Sequence, residues 1–139
     1  MKRFLPVLLC VAMGSAQNID KQKWHWDHST QDADAGYAQV VKIDNILYLS
    51  GVPAIGLTEK DVERVYKGIE MSLAKYGATF QNVVKENLYT TDIEAMKKVN
   101  ETRKKFYKND YPAATWVQVD RLYMPEAKLE VEVIAHLPK

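Results

Sequence analysis

Tyr37-Ala38-Gln39-Val40-Val41-Lys42-Ile43-Asp44-Asn45-Ile46-Leu47-Tyr48-Leu49-Ser50 (YAQVVKIDNILYLS) is the stretch on which the fold turns. Two runs rich in β-branched and aromatic residues, Tyr37 to Ile43 and Ile46 to Ser50, flank Asp44-Asn45, a dipeptide suited to a tight hairpin turn. The second run is apolar at four successive positions, Ile46, Leu47, Tyr48 and Leu49. Side chains alternate across a strand, so this strand is apolar on both faces of its sheet. Each face therefore has to be covered.

Outward from the hairpin, Gly51-Val52-Pro53-Ala54-Ile55-Gly56 reads as a loop. Thr58 with Asp61 makes a capping-box-like start. Val62, Val65, Tyr66, Ile69, Leu73 and Tyr76 follow at three- and four-residue steps, an amphipathic helix stopped by Gly77. Val83 to Tyr89 is a third strand. Thr91 with Glu94 starts a second helix reaching about Tyr107, with Met96, Val99 and Phe106 on its apolar side. Thr115 to Leu122 and Leu129 to Ala135 are the last two strands, joined by a loop containing Pro125. The order β-β-α-β-α-β-β predicts an α+β domain with two helices on one face of a mixed sheet. Two helices cover one face only, and another copy of the chain is the simplest cover for the other.

The chain has 139 residues, 47% of them hydrophobic, which is one domain's worth of core. Its start is of another kind. Lys2-Arg3 precedes the apolar run Phe4 to Met13, and Gly14-Ser15-Ala16 supplies small residues before Gln17. That is the pattern of a secretory signal peptide over residues 1–16, cleaved after Ala16, and the run is too short to span a bilayer. The expected product is secreted or periplasmic. Residues 17–36 are polar and read as an extended N-terminal arm, leaving 37–139 as the folded domain. The single cysteine, Cys10, would leave with the signal, and with it any disulfide or thiolate site. Losing Lys2 and Arg3 would leave 17 of 19 basic side chains against 18 acidic ones. That near-neutral, scattered charge excludes nucleic acid as an expected partner.

Three constellations bear on chemistry. In Leu129-Glu130-Val131-Glu132-Val133-Ile134-Ala135, a period of two puts the apolar set on one face and Glu130, Glu132 and Ile134 on the other. Those carboxylates are either a solvated strand face or a group projecting into an inter-subunit groove, where one could hold a water or take a proton. Trp24-His25-Trp26-Asp27-His28 offers His25, His28 and Asp27 as ligands, but a free arm has no fixed geometry and no supporting shell. No metal is therefore expected there, and the two indoles read as pins for the arm. Asn100-Glu101-Thr102 matches a glycosylation sequon inside a predicted helix. No phosphate-cradling glycine loop, zinc motif or serine-histidine-aspartate order is present, so no cofactor is implied.

Several segments together resemble the Rid family, the YjgF-like reactive-intermediate deaminases. They are Gly36-Tyr37-Ala38-Gln39-Val40-Val41, Leu47-Tyr48-Leu49-Ser50-Gly51, Tyr76-Gly77-Ala78 leading to Asn82-Val83-Val84-Lys85, Tyr89-Thr90-Thr91-Asp92, Val99-Asn100 with Phe106, Tyr111-Pro112-Ala113, and Leu129 to Ala135. Any one of these is weak; their order over Gly36 to Ala135 is what resembles the family. The resemblance implies a chorismate-mutase-like fold, a homotrimer, and clefts at the subunit interfaces. Members that are enzymes hydrolyse enamines and imines such as 2-aminoacrylate to a keto acid and ammonia. By the same resemblance the cleft would use Tyr37, Ser50 with the backbone of Gly51, Asn100, the backbone at Trp116, and Glu130, which would position the attacking water.

One departure matters. In deaminating members an arginine follows the Pro-Ala pair and grips the substrate carboxylate with two charge-assisted hydrogen bonds. Here that position is Ala114. Losing such an anchor is worth about 2–5 kcal/mol, or about 30- to 5,000-fold in affinity for a carboxylate. Trp116, where a smaller residue is common, is expected to make the pocket flatter and more aromatic. Arg121 lies seven residues on, an odd step that points it to the opposite face and roughly 20 Å away along a strand. The expected function is an exported Rid-like protein binding or hydrolysing a small imine or enamine without a carboxylate. A non-catalytic small-molecule binder is the alternative, and an endoribonuclease a third reading opposed by charge and export. The expected partners are a small molecule and two further copies of the chain, with neither nucleic acid nor membrane.

Overall fold

The hairpin forms where the sequence places it. In the computed structural model, which describes residues 18–139, strand β2 (Val40–Ile43) runs antiparallel to β3 (Ile46–Ala54), with Ile43 opposite Ile46. Asp44 turns the corner at φ 51°, a left-handed conformation that Asp and Asn tolerate. Residues 1–16, the expected signal peptide with Cys10, lie outside the described residues. Among those described, no helix is long and apolar enough to cross a membrane.

Helix α1 (Glu59–Ala74) follows from its cap. The Thr58 hydroxyl accepts from the Asp61 amide at 3.3 Å, and the Asp61 carboxylate accepts from the Thr58 amide at 3.1 Å. Two amides that no helical carbonyl can reach are thereby satisfied. Val62, Val65, Tyr66, Ile69 and Leu73 are fully buried, as the spacing predicts. Gly77 lies beyond the helix end at φ 70°, a conformation suited to glycine.

Strands β4 (Val83–Thr90), β5 (Ala113–Gln118) and β6 (Leu129–His136) complete a six-stranded sheet that also holds β1 (Gln22–Trp24). The order is β1-β2-β3-β6-β4-β5, antiparallel except for the parallel β4–β5 pair. The sheet is mixed and the domain is α+β, as expected. Leu129, Val131, Val133 and Ala135 are buried in the core shared with α1, while Glu130, Glu132 and Ile134 are half-buried on the opposite face.

Four local readings need correction. Gly51 to Ala54 are not loop but continue β3, which carries a bulge between Leu49 and Val52. Beyond Leu49 the strand has lost β2, so Pro53 needs no ladder partner on that side. The predicted strand at Tyr37 begins only at Val40. The second helix is two, α2 (Ile93–Lys98) and α3 (Asn100–Tyr107), broken at Val99. Its cap is Asp92, whose carboxylate accepts from the Ala95 amide at 2.9 Å, because the Thr91 amide is tied to the Lys128 carbonyl at 3.1 Å. Finally, β5 spans 113–118 rather than 115–122, leaving Leu122 in the following connection.

The arm is also not free. Strand β1 pairs with β2 through Gln22 opposite Lys42 and Trp24 opposite Val40, and a π-helical turn follows at Ser29–Asp34. Trp24 is half-buried against the core with the Lys75 ammonium 5.7 Å from its ring centroid, so the arm packs on its own chain.

Candidate functional site

The bulge in β3 sets up the site. Three steps along β3, from Leu49 to Val52, match two along β6, from Val133 to Val131. Leu49 and Val52 are both buried, so Ser50 and Gly51 are the residues turned out of the core between them. They meet Glu130, which stands on the same side of β6. Gly51 and Glu130 are in intimate contact: a Cβ on Gly51 would lie 2.6 Å from Cγ and 2.7 Å from Cδ of Glu130, closer than atoms pack.

Ser50 is fixed through both backbone and side chain. Its hydroxyl donates to the Ala38 carbonyl at 2.8 Å, and its amide donates to the Gln39 carbonyl at 2.9 Å. The Gln39 amide group returns a bond to the Ser50 carbonyl at 3.0 Å. Gln31, from the π-helical turn, donates to Gln39 Oε1 at 2.8 Å and to the Tyr37 hydroxyl at 3.2 Å. Gln31 and Gln39 are both buried. Sequence reasoning missed this pair; the one available signal was a polar Gln39 beside the apolar run Val40-Val41.

Tyr37, Ser50, Gly51 and Glu130 line one cavity of about 430 Å³, completed largely by apolar side chains including Pro53, Met124 and Ala127. Glu130 is half-buried there, and burial, helped by the like charge of Glu132, raises its carboxyl above the ordinary glutamate value. A carboxyl so placed is a better proton acceptor at neutral pH than a solvated one. Glu132, two residues along the same face, accepts instead from Asn87 Nδ2 at 2.8 Å and from the Tyr89 hydroxyl at 3.3 Å. It borders a second cavity of about 270 Å³ on the open sheet face, where Tyr48 is 42% exposed. Of the two glutamates, only Glu130 faces the first cavity.

The remaining site residues lie elsewhere. Asn100 opens α3, at a helix start rather than mid-helix, and its buried Oδ1 has no hydrogen-bond partner among the described residues. Ala114 and Trp116 sit on β5, the sheet edge, opposite Glu86 and Leu88 of β4. Strand β4 thus separates them from β6 and Glu130. The structure gathers Tyr37, Ser50, Gly51 and Glu130 around the central strands β3 and β6 and leaves Ala114 and Trp116 on the edge strand β5 and Asn100 on α3.

Trp116 does not flatten an open pocket within the chain. It is half-buried against the core, with the Arg103 guanidinium carbon 5.5 Å from its ring centroid. Arg103 in turn donates to the fully buried Glu86 at 2.7 Å, which also accepts from the hydroxyls of Tyr107 at 2.6 Å and Tyr66 at 2.9 Å. Burial and the Glu86 carboxylate both push the two tyrosines well above their ordinary values, so they remain hydrogen donors. Arg121, off the end of β5, is exposed and donates to the Tyr123 carbonyl at 3.4 Å.

The chain is similar to known proteins in sequence and in fold. The family described as Endoribonuclease L-PSP matches residues 28–137. Reactive Intermediate Deaminase A, chloroplastic, of Arabidopsis thaliana is 35% identical over 121 residues, covering 78% of this chain and 64% of that protein. The 2-iminobutanoate/2-iminopropanoate deaminase of Homo sapiens is 29% identical over 109 residues, 71% of this chain and 78% of that one. In fold, the chain is similar to Rv2704 of Mycobacterium tuberculosis, described as a member of the YjgF/YER057c/UK114 family. The TM-score is 0.75 at 23% identity, over 85% of this chain and 100% of that one.

Proposed function

The chain belongs to the Endoribonuclease L-PSP family, and from that premise we propose that it hydrolyses a small imine or enamine lacking a carboxylate. The observation that carries this reading is the Glu130 carboxyl, raised by burial and held against Gly51 at the wall of an apolar cavity. Ionised Glu130 takes a proton from a water as its oxygen adds to the C=N carbon. Glu130 passes that proton to the nitrogen, giving the carbinolamine. It then takes the carbinolamine hydroxyl proton as the C–N bond breaks and delivers it to the departing ammonia, leaving the carbonyl. An enamine enters the sequence as its imine tautomer. The names of the Arabidopsis and human relatives, both deaminases of reactive intermediates or imines, support this reaction class.

The substrate class follows from the cavity and from β5. Among the described residues, no cationic side chain lines the cavity at Glu130, and Ala114 stands where the resemblance implies an arginine. A carboxylate would enter without a counter-charge, whereas a neutral imine loses nothing. The separation of Ala114 and Trp116 on the edge strand β5 from Glu130 on the central strand β6 supports a homotrimer in which β5 of one subunit completes the cavity of the next. We assign residues 1–16 to a signal peptide, which places the activity in a periplasm or outside the cell.

The same lining favours a second reading, a non-catalytic binder of an apolar metabolite. Glu130→Ala separates the two. Ammonia release abolished with ligand binding retained supports hydrolysis. A parent protein that binds neutral imines and releases no ammonia supports the binder. RNA is a poor third ligand for a chain that, without Lys2 and Arg3 of the signal peptide, carries 17 of its 19 basic side chains against 18 acidic ones.

A further inference from the structure

The segment Trp24-His25-Trp26-Asp27-His28 becomes a defined shape once the arm is folded down. Strand β1 anchors it before His25, and the π-helical turn anchors it after His28. The Asp27 carboxylate is spent inside the bend: it accepts from the Ser29 amide at 3.0 Å and from the hydroxyls of Ser29 and Thr30, each at 2.7 Å. Gln31 closes the bend by accepting from the Trp26 amide at 2.7 Å. Asp27 is therefore no ligand, and Asp32 occupies the place the sequence offered to it.

His25 is 7% exposed, and neither of its ring nitrogens has a hydrogen-bond partner among the described residues. Buried imidazole nitrogens are ordinarily bonded, so this ring is held for something. Its Nε2 lies 3.8 Å from Asp32 Oδ1, beyond hydrogen-bond reach, and its ring centroid lies 4.2 Å from that of His28. One ligand atom from each of His25, His28 and Asp32 falls within 4.8 Å of the others. Tetrahedral ligands about 2.0–2.1 Å from a zinc ion stand about 3.4 Å apart. His28 and Asp32 are exposed and free to swing, so contraction onto an ion needs side-chain rotation only.

We propose that His25, His28 and Asp32 bind a divalent transition-metal ion, zinc foremost, that clamps the bend of the N-terminal arm between β1 and the π-helical turn. Two neutral imidazoles and a carboxylate suit Zn²⁺, Ni²⁺ or Cu²⁺ and leave a fourth position for water. Mg²⁺ and Ca²⁺ prefer all-oxygen shells and are poor fits. The turn that carries Asp32 also carries Gln31, bonded to Tyr37, and Thr30, which borders the cavity of Glu130. A bound ion thus rigidifies the rim of the candidate site without taking part in its chemistry. The rival arrangement is an ion pair between protonated His25 and Asp32.

The test uses the untagged chain, stripped with a chelator and titrated with zinc chloride by calorimetry, with bound metal measured after dialysis. The expected result is one zinc per chain, a higher melting temperature with zinc, and no shift with magnesium. His28→Ala and Asp32→Asn alter exposed side chains, so each should fold normally and bind zinc at least about 100-fold more weakly. His136→Ala, which changes the one remaining histidine, should bind as the parent does. Failure of the folded parent to bind zinc at one per chain overturns the proposal. So does undiminished binding by both His28→Ala and Asp32→Asn, or an equal shift with magnesium.

Discussion

Glu130 rests on Gly51: the space a Cβ would take at Gly51 is filled by the Glu130 side chain, with Cγ 2.6 Å and Cδ 2.7 Å from that point. The β3 bulge, the missing side chain and the placed carboxyl are one device. Gly51→Ala should displace the carboxyl from its wall of the cavity. Misplacing a reacting group by about 1 Å costs about 100-fold in rate, and a loss of that order in ammonia release is expected. Melting should change little, since Glu130 is only half-buried and its end can move into the cavity.

Acidity provides a second test. The Glu130 carboxyl is raised above 4.5 by burial first and by Glu132 second. A raised carboxyl binds its proton more tightly when folded, so it favours the folded state at low pH. That contribution is lost as pH rises from the ordinary glutamate value through the raised one. Glu130→Gln should therefore be more stable than the parent at pH 7 and lose the advantage below pH ~4. Denaturant melts at both pH values check this; an advantage of equal size at both would contradict the raised value.

The buried cluster beneath β5 makes the largest stability prediction. Arg103→Met leaves the fully buried Glu86 carboxylate with its two tyrosine donors but no cation. Stranding a buried charge costs about 3–5 kcal/mol. Glu86→Gln in the same background should recover part of that loss, because it removes the stranded charge. Additive effects of the two changes in denaturant melts would show that they do not act as a pair.

Ala114→Arg should create the missing anchor. Small 2-keto acids should then bind at least about 30-fold more tightly than to the parent, the lower end of what such an anchor is worth. Pyruvate should raise the melting temperature of the variant and leave the parent unchanged. If it raises neither, with the assembly intact, β5 does not reach the cavity at Glu130 and the inter-subunit reading of the site fails.

What was legible in the sequence was whatever local chemistry decides. Asp44-Asn45 gave the turn, Thr58 with Asp61 gave the helix start, and the alternation in β6 separated Glu130 from the core. The Gly51 to Ala54 extension of β3 was hidden because Gly and Pro signal loops, and only the loss of β2 as a neighbour lets Pro53 stay in a strand. The arm looked free because its partner strand and its tryptophan seat lie elsewhere in the sequence. Glu86 and Arg103 are 17 residues apart on a strand and a helix, so nothing local announced their pairing. For the site, the family resemblance supplied the residue set. The structure then divided that set between the central strands β3 and β6 and the edge strand β5 with α3, a division invisible to spacing because it depends on strand order.

The most direct measurement of the central claim is a comparison of substrates. The purified protein is given neutral cyclic imines and 2-iminopropionate side by side, and free amine or ammonia release is followed with Glu130→Ala as the control. The account predicts faster turnover of the neutral imines, abolished in Glu130→Ala. Faster turnover of 2-iminopropionate would contradict it, because the carboxylate would then have found an anchor other than the residue at position 114.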